Sequence, residues 1–169
     1  ASVNVIEPQT ALGGSPQIFG VSCKGDASGM LVGDATGSWA PYTYCWLDMN
    51  GDTLQSTGPI SDKDTLFDLS AGIYFLVVMD AQGCEVEYLL NVPEPSVALS
   101  IDSMILIDDI ACYGDSVGRA MLSVSGGQPN YYYEWDNGET TLVAEELTSG
   151  WHSVLLTDDW GCKLVDSVF

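Results

Sequence analysis

The chain repeats itself, and this internal repeat constrains its fold more than any other feature of the sequence. Residues 23–29 match residues 112–118, an offset of 112 − 23 = 89 positions. Further along, Leu69 matches Leu147, an offset of 147 − 69 = 78 positions. The sequence therefore predicts two copies of one structural unit that differ in length.

The change of offset locates an insertion in the first copy. Copy one carries 89 − 78 = 11 extra residues between Trp46 and Leu69. This segment contains an Asn-Gly turn signal and is predicted to form an elongated hairpin or an added edge strand. We assign residues 1–97 to repeat one and residues 98–169 to repeat two.

The two ends of the sequence indicate a longer array. Asn4–Pro8 resembles Asn91–Pro95, the segment that closes repeat one. Residues 1–8 are therefore predicted to be the tail of a preceding repeat. Repeat two reaches Phe169 before any such segment and is predicted to be truncated at its end.

Apolar and polar residues alternate over short runs, as they do in strands with one buried face. Tyr42–Trp46 and Tyr74–Val78 are examples, and turn residues bound such runs; the chain has 18 Gly and 7 Pro. No long window follows a helical period. The pattern predicts an all-β fold of two tandem immunoglobulin-like β-sandwich repeats.

Each copy carries residues that would organise such a core. Trp46 and Trp135 are expected to fill the space between two sheets. The pattern Leu69-x-x-Gly72-x-Tyr74 is similar to a tyrosine corner, in which the ring packs inward and the hydroxyl bonds to the backbone. Copy two has His152 in that place, which we interpret as a substitute for Tyr74, with a ligand or catalytic role as the alternative.

The charge of the chain excludes several functions. The formal net charge is −20, from 24 acidic and 4 basic side chains, so nucleic acids and anionic membrane surfaces are disfavoured partners. The longest apolar run, Ile73–Met79, is too short to insert across a membrane, which takes about 20 residues as a helix. With one histidine and no marked pair of carboxylates, the chain is not expected to be an enzyme.

The five cysteines divide into two matched pairs and one odd residue. The repeat predicts the disulfides Cys23–Cys84 and Cys112–Cys162, one stapling each copy, and an oxidising compartment follows from them. Reduced buried thiols are the alternative. Cys45 has no counterpart, and alternation places it on the outward face of its strand as a free thiol or as a link to another chain.

Five motifs follow one another in a fixed order in copy one. They are Cys23-x-Gly25-x-x-x-Gly29, Pro41-Tyr42-Thr43-Tyr44-x-Trp46, Leu69-x-x-Gly72-x-Tyr74, Asp80-Ala81-Gln82-Gly83-Cys84 and Pro93-Glu94-Pro95. This ordered set resembles the SprB repeat of very large surface adhesins from gliding Bacteroidota. Copy two matches through residues 126–135 and 158–162 and departs at Asn130 and His152.

The resemblance implies a location and a role for the parent protein. It implies an extracellular β-sandwich array on the cell surface, exported by the type IX route and serving adhesion or gliding motility. Neighbouring repeats of the same chain are then the nearest partners. The resemblance implies no catalytic residue and no binding site.

Carboxylates in three places are candidate calcium ligands, because hard cations prefer oxygen donors. They are Asp48, Asn50 and Asp52 in the extra hairpin, Asp26 with Asp80 and Asp115 with Asp158 beside the cysteines, and Asp102, Asp108 and Asp109 near the junction. Each group has an ordinary alternative: an Asn-Gly turn, a cap for a tight turn, or a solvated strand edge. Calcium is the one cofactor that the sequence offers.

Two tryptophans are candidate ligand-binding residues. Trp39 and Trp160 have no aromatic counterpart in the other copy, so a place in the shared core is disfavoured. Exposed rings stack on sugars, which makes polysaccharides or solid surfaces candidate partners; packing against loops or the neighbouring copy is the alternative. Trp151, in a predicted strand, is expected to pack.

Three functions therefore stay open. The first is the stalk of an adhesin with weak sites that act together through multivalency. The second is a purely structural spacer in a secreted multidomain protein, and the third is a calcium-dependent carbohydrate-binding module.

Overall fold

The chain forms two compact units, described here by a computed structural model. Unit 1 comprises residues 1–21 and 25–94, and unit 2 comprises residues 22–24 and 95–169. Within these, the structure describes residues 6–110, 112, 114 and 116–169. The described residues form strands and turns, and no helix among them has the length and apolarity needed to span a membrane.

Unit 1 contains the first group of strands, and over Tyr42–Leu47 buried side chains alternate with partly buried ones. They are β1 (Gly13–Gly14), β2 (Gln17–Phe19), β3 (Gly29–Gly33), β4 (Ala35–Thr36), β5 (Tyr42–Leu47), β6 (Thr53–Ile60), β7 (Asp64–Leu69), β8 (Gly72–Met79) and β9 (Glu85–Val92). One antiparallel sheet has the order β2-β3-β7 and the other β6-β5-β8-β9, beside a short β1-β4 pair. Side chains from both larger sheets share one buried core.

The extra residues of copy one contribute an edge strand. β6 lies at the edge of the four-stranded sheet and pairs antiparallel with β5, with Trp46 opposite Gln55. Asp48 closes the hairpin, since its backbone N–H donates to the carbonyl of Asp52 at 2.9 Å. The insertion therefore widens one sheet, and Ile60 of β6 packs against the core.

Trp46 occupies the centre of the unit 1 core. Its side chain is fully buried, and its indole N–H donates to Asp64 Oδ2 at 2.7 Å. The buried Asp64 carboxylate also accepts hydrogen bonds from Gln55 Nε2 at 3.0 and 3.2 Å. The polar atoms of this core are paired, as burial requires.

Unit 2 has the same plan with fewer strands. They are β10 (Ser100–Asp108), β11 (Gly118–Ser125), β12 (Tyr132–Trp135), β13 (Val143–Leu147), β14 (His152–Thr157) and β15 (Lys163–Val168). The two sheets have the orders β10-β11-β13 and β12-β14-β15. Trp135 is buried between them, and its indole N–H donates to the carbonyl of Thr141 at 2.9 Å. The predicted all-β, immunoglobulin-like class is confirmed in both units.

The corner pattern is present in both units with different chemistry. The Tyr74 hydroxyl donates to the carbonyl of Ser70 at 3.0 Å. In unit 2, His152 Nε2 lies 2.9 Å from the carbonyl of Thr148, and His152 Nδ1 lies 3.0 Å from Asp136 Oδ1. Because both partners are acceptors, both ring nitrogens are best used as donors, which favours the charged imidazolium.

The predicted disulfide pairing is wrong. The structure contains the disulfide Cys23–Cys162, whose Cα atoms lie 5.5 Å apart, while Cys45, Cys84 and Cys112 are free. The physical reason is the placement of residues 22–24, which group with unit 2 rather than with the rest of repeat one. Cys23 therefore meets the closing turn of the second copy, and neither copy is stapled on its own.

Replacing Cys162 tests this pairing against the one that the repeat predicted. We expect Cys162→Ser to lower the free energy of unfolding of unit 2 by about 2–4 kcal/mol, because the unfolded chain loses a cross-link. Urea denaturation under oxidising conditions measures the change. Cys84→Ser is the matched control and should stay within about 0.5 kcal/mol of the parent chain; an equal loss for both variants would favour the repeat-internal pairing.

The hydrogen bonds of His152 can be tested by NMR, because the resonance of the single histidine is unambiguous. Burial opposes the charged ring, but the hydrogen bonds to Asp136 and Thr148 outweigh it and raise the pKa of His152 above 6.5. A raised pKa in the folded state means that this contribution to stability is complete below pH 6.5 and is lost as pH rises through the folded value. NMR titration should show the raised pKa, and Asp136→Asn should lower it.

Candidate functional site

The clearest built site in each unit is a pair of adjoining loops held by one aspartate. In unit 1, the Asp80 backbone N–H donates to the carbonyl of Cys84 at 2.9 Å. Asp80 Oδ1 accepts hydrogen bonds from the backbone N–H of Gln82 at 2.9 Å and of Cys84 at 2.8 Å. The carboxylate thus fixes the turn between β8 and β9 from within.

The same aspartate ties this turn to a second loop. Asp80 Oδ2 accepts a hydrogen bond from Ser38 Oγ, and the Ala81 backbone N–H donates to the carbonyl of Trp39 at 2.9 Å. The Tyr42 hydroxyl closes the second loop on itself by donating to the carbonyl of Gly37 at 2.6 Å. As a result, Trp39 and Gln82 lie on two loops that are bonded to each other.

Unit 2 repeats this arrangement around Asp158. Asp158 Oδ1 accepts hydrogen bonds from the backbone N–H of Trp160 at 3.0 Å and of Cys162 at 2.8 Å, and Asp158 Oδ2 accepts one from the backbone N–H of Gln128 at 2.9 Å. The Asp159 backbone N–H donates to the carbonyl of Gln128 at 3.1 Å. Here Gln128 and Trp160 occupy the two bonded loops.

The two units therefore carry the same pair of side chains with the positions exchanged. Unit 1 has Trp39 on the first loop and Gln82 on the turn, whereas unit 2 has Gln128 on the first loop and Trp160 on the turn. An indole and a primary amide on adjoining loops together offer a stacking face, hydrogen-bond donors and an acceptor. We name these pairs the Trp–Gln loops.

The sequence singled out the tryptophans of these loops but missed their glutamine neighbours. The sequence did contain a signal for these glutamines, since each tryptophan aligns with a glutamine of the other copy. Trp160 is half exposed and Trp39 partly buried. Tyr132, also missed, is exposed beside the second pair, with its hydroxyl 3.3 Å from Asp159 Oδ1.

Trp151 lies apart from these loops. Its side chain is 69% exposed, and its ring makes an edge contact with Phe169 at a centroid distance of 5.4 Å. The expected packing of Trp151 is therefore limited to this exposed pair.

The carboxylates proposed as calcium ligands are used mainly in turns and ion pairs. Asp48 Oδ1 accepts hydrogen bonds from the backbone N–H groups of Asn50 at 2.8 Å and Asp52 at 2.9 Å, which is the geometry of an Asx turn. Asp80 and Asp158 fill the turn-capping role described above. Asp26 is exposed.

The junction carboxylates are likewise engaged, each with a different partner. Asp102 Oδ1 accepts from Ser125 Oγ at 2.8 Å, Asp108 pairs with Arg119 at 3.3 Å, and Asp109 Oδ1 accepts from the backbone N–H of Ile110 at 2.7 Å. Among the described residues no three His, Cys, Asp or Glu side chains are grouped as metal ligands. Asp115 lies outside the described residues, so the calcium site stays a prediction.

Unit 2 also contains an open cavity of about 640 Å³. Ionisable residues on its wall are Asp108, Asp109, Cys112 and His152, among apolar neighbours that include Leu106 and Phe169. Both nitrogens of His152 are engaged with Asp136 and Thr148. The cavity therefore presents carboxylates and a thiol beside an apolar wall.

The electrostatics of the unit 1 turn follow from its hydrogen bonds. The bond from Ser38 and the backbone N–H groups of Cys84 and Gln82 lower the pKa of Asp80 from 3.8 to about 2. The negative charge of Asp80, together with burial, raises the pKa of the Cys84 thiol. Cys84 is therefore mostly protonated at neutral pH, and its reactions as a thiolate are slowed.

A region of each copy matches the sequence model of a known repeat family. The sequence model of the SprB repeat matches residues 20–51 and residues 107–140. Each match begins just before the first cysteine of a copy and includes its buried tryptophan. The SprB repeat model thus matches one region in each copy of the internal repeat. The SprB resemblance found in the motifs is confirmed.

Solved structures give weaker likenesses to this chain. They include a C-terminal intimin fragment in complex with the intimin-binding domain of its translocated receptor (11% identity, 94% of this chain, 64% of that chain, TM-score 0.48). They also include the N-terminal eight immunoglobulin domains of Down syndrome cell adhesion molecule (15% identity, 90% of this chain, 27% of that chain, TM-score 0.47). A third is the fibronectin(III)-like modules of Clostridium thermocellum CbhA (13% identity, 90% of this chain, 91% of that chain, TM-score 0.41).

These likenesses do not extend to function. The chain spans 64% of the intimin fragment and 27% of the cell adhesion molecule. All three TM-scores are below 0.5, so no inference about this chain is drawn from them. No curated protein matches the chain.

The low pKa of Asp80 predicts how the unit 1 turn responds to acid. A carboxyl with a depressed folded pKa contributes stability above its unfolded value of 3.8, and this contribution is lost as pH falls through about 2. Carboxyl NMR titration should place Asp80 near that value. Ser38→Ala should raise the pKa of Asp80, because it removes the strongest hydrogen bond to the carboxylate; an unchanged titration would contradict this account.

Proposed function

We propose that this chain is a segment of the repeat region of a large extracellular adhesin. In this role it serves as a stalk on the cell surface and adds weak, repeated contacts to a polysaccharide or solid surface. Attachment or gliding motility is the activity of the parent protein, which the type IX route would export. The observation that carries the proposal is the match of the SprB repeat model to two regions of one chain.

The stalk role is supported by the way each unit is built. Each of the two units closes its own core around a buried tryptophan, so each can act as a separate module in an array. The surplus of acidic side chains gives the chain a net charge of −20, which keeps neighbouring copies soluble and mutually repelling.

The binding role is supported by the Trp–Gln loops. Each unit presents an indole and an amide on loops that are fixed by a buried carboxylate. Loops whose backbones are held in this way lose little backbone entropy on binding, which favours a preformed site. One such site is expected to be weak, with a Kd of about 1 mM, and repetition along an array would strengthen attachment.

The charge of the chain narrows the class of ligand. Carboxylate or sulfate polymers are repelled by a surface with a net charge of −20. Neutral polysaccharides, in which hydroxyl groups meet the amide and a sugar ring meets the indole, are the better match to a Trp–Gln pair. We therefore propose neutral glycans as the ligand class and no role for nucleic acid, membrane insertion or catalysis.

A purely structural spacer is the second candidate function. It is favoured by the partial burial of Trp39, which leaves less of that ring for a ligand than the half-exposed ring of Trp160. In a spacer, the loops would fix the ends of each unit and bind nothing.

Glycan binding by tryptophan variants separates the two candidates. We expect the intact chain to be retained by at least one neutral polysaccharide in affinity electrophoresis. Trp160→Ala should weaken retention about tenfold and the double variant with Trp39→Ala should abolish it, because the stacking faces are lost. Trp151→Ala is the matched control, since it removes an exposed indole outside the Trp–Gln loops.

The outcomes assign the function. Equal losses for Trp151→Ala and Trp160→Ala would indicate non-specific adsorption and contradict a site at the loops. Absence of retention by every glycan would leave the spacer as the function of this segment. The same assay after chelation tests calcium, because loss of retention that added calcium restores would support the predicted metal site.

A further inference from the structure

The paired cysteines are of two kinds by their place in the repeat. Cys23 and Cys112 stand at the start of a copy and are here called the opening cysteines, whereas Cys84 and Cys162 follow the aspartate turn and are called the closing cysteines. The structure joins an opening cysteine to a closing cysteine, Cys23 to Cys162. This disulfide joins the opening cysteine of one copy to the closing cysteine of the next, across a sequence separation of 139. We call this order of bonding the pairing rule.

One cysteine of each kind is left over. Cys84, a closing cysteine, and Cys112, an opening cysteine, are both free and exposed. If the pairing rule continues beyond one chain, the partner of Cys84 is an opening cysteine and the partner of Cys112 is a closing cysteine. A second copy of this chain supplies both.

The turn that presents Cys84 already has the form of the bonded one. The Asp80 N–H donates to the carbonyl of Cys84 at 2.9 Å, and the Asp158 N–H donates to the carbonyl of Cys162 at 3.0 Å. In return, the backbone N–H of each cysteine donates to the aspartate Oδ1 at 2.8 Å. Cys84 is thus held as Cys162 is held, with its thiol exposed instead of bonded.

The surroundings of Cys112 are open to a second copy. Cys112 lies on the wall of the unit 2 cavity together with Leu106 and Phe169. Leu106 is 42% exposed and Phe169 is 72% exposed, which gives an approaching chain an apolar surface to cover. Access to Cys112 therefore does not require unit 2 to open.

We propose that Cys112 of one copy of this chain forms a disulfide with Cys84 of a second copy, so that copies are joined head to tail by the pairing rule of Cys23–Cys162. The inference rests on the proposed function of the chain as part of a repeat array in an oxidising compartment. The linkage makes a second copy of this chain the partner of both Cys84 and Cys112.

The bond forms by thiol–disulfide exchange with a small-molecule disulfide such as oxidised glutathione. A thiolate of one copy attacks that disulfide, forms a mixed disulfide and releases one glutathione thiol. The thiolate of the second copy then attacks the protein sulfur of the mixed disulfide and releases the second glutathione. Two protein thiols are oxidised, one glutathione disulfide is reduced to two thiols, and the protons balance.

Two single variants isolate the proposed bond, both prepared with Cys45→Ser so that the odd thiol does not compete. Cys84→Ser keeps an opening thiol and Cys112→Ser keeps a closing thiol. An equimolar mixture is oxidised in a glutathione buffer at about pH 8.5, where thiolates are more abundant. Non-reducing electrophoresis and peptide mass mapping then identify the dimers.

We expect the mixture to form heterodimers linked Cys112 to Cys84. Their yield should exceed that of the homodimers of either variant alone by about tenfold, a difference that corresponds to about 1.4 kcal/mol of selectivity. The chain with both thiols should give a ladder of head-to-tail oligomers. Since both substituted side chains are exposed, far-ultraviolet circular dichroism should show unchanged folds.

Three results would overturn the proposal. The first is heterodimers and homodimers in statistical proportion, which would mean unselective oxidation of exposed thiols. The second is monomeric variants that carry glutathione and no protein partner. The third is a Cys84–Cys112 bond inside one chain, shown by peptide mapping of the monomer of the chain that keeps both thiols.

The test does not depend on ligand binding. Head-to-tail dimers together with failed glycan retention would support covalent linkage in a spacer. Glycan retention without selective dimers would keep the adhesive function and remove the covalent link.

Discussion

A carboxylate buried in a tight turn organises the Trp–Gln loops of each unit. Asp80 is 5% exposed and Asp158 is 2% exposed, so their charged oxygens need donors from the protein. Backbone N–H groups of the turn satisfy one oxygen, and a donor from the first loop satisfies the other. The position of the tryptophan, the glutamine and the closing cysteine all follow from this one constraint.

The same scaffold can therefore carry different surfaces without a change of fold. Trp39 of copy one is replaced by Gln128 in copy two, and Gln82 is replaced by Trp160. The backbone N–H bonds that join and close the two loops are the same in both copies. Side chains that do not take part in the buried network are free to vary. An array built in this way can present related but unequal contacts along its length, which suits weak binding at many points better than one deep site.

The parts that the sequence predicted are those that depend on local chemistry. Alternation around Trp46 and Trp135 indicated two-sheet cores, and the repeat offsets located the edge strand β6, because strand period and turn residues are encoded within a few positions. The partner of Cys23 could not be found this way. Sequence equivalence tells which residues are alike, whereas a disulfide depends on which segments meet, and the grouping of Ser22–Lys24 with unit 2 leaves no local signal.

The pairing of Cys23 with Cys162 changes what the cysteines can do. If each copy closed a bond between its own opening and closing cysteines, no opening or closing cysteine would remain for a neighbour. A bond from the opening cysteine of one copy to the closing cysteine of the next leaves Cys84 and Cys112 unpaired. The second pattern can continue from chain to chain, whereas the first cannot. Which two cysteines form a single disulfide therefore decides between a set of independent domains and a covalently continuous array.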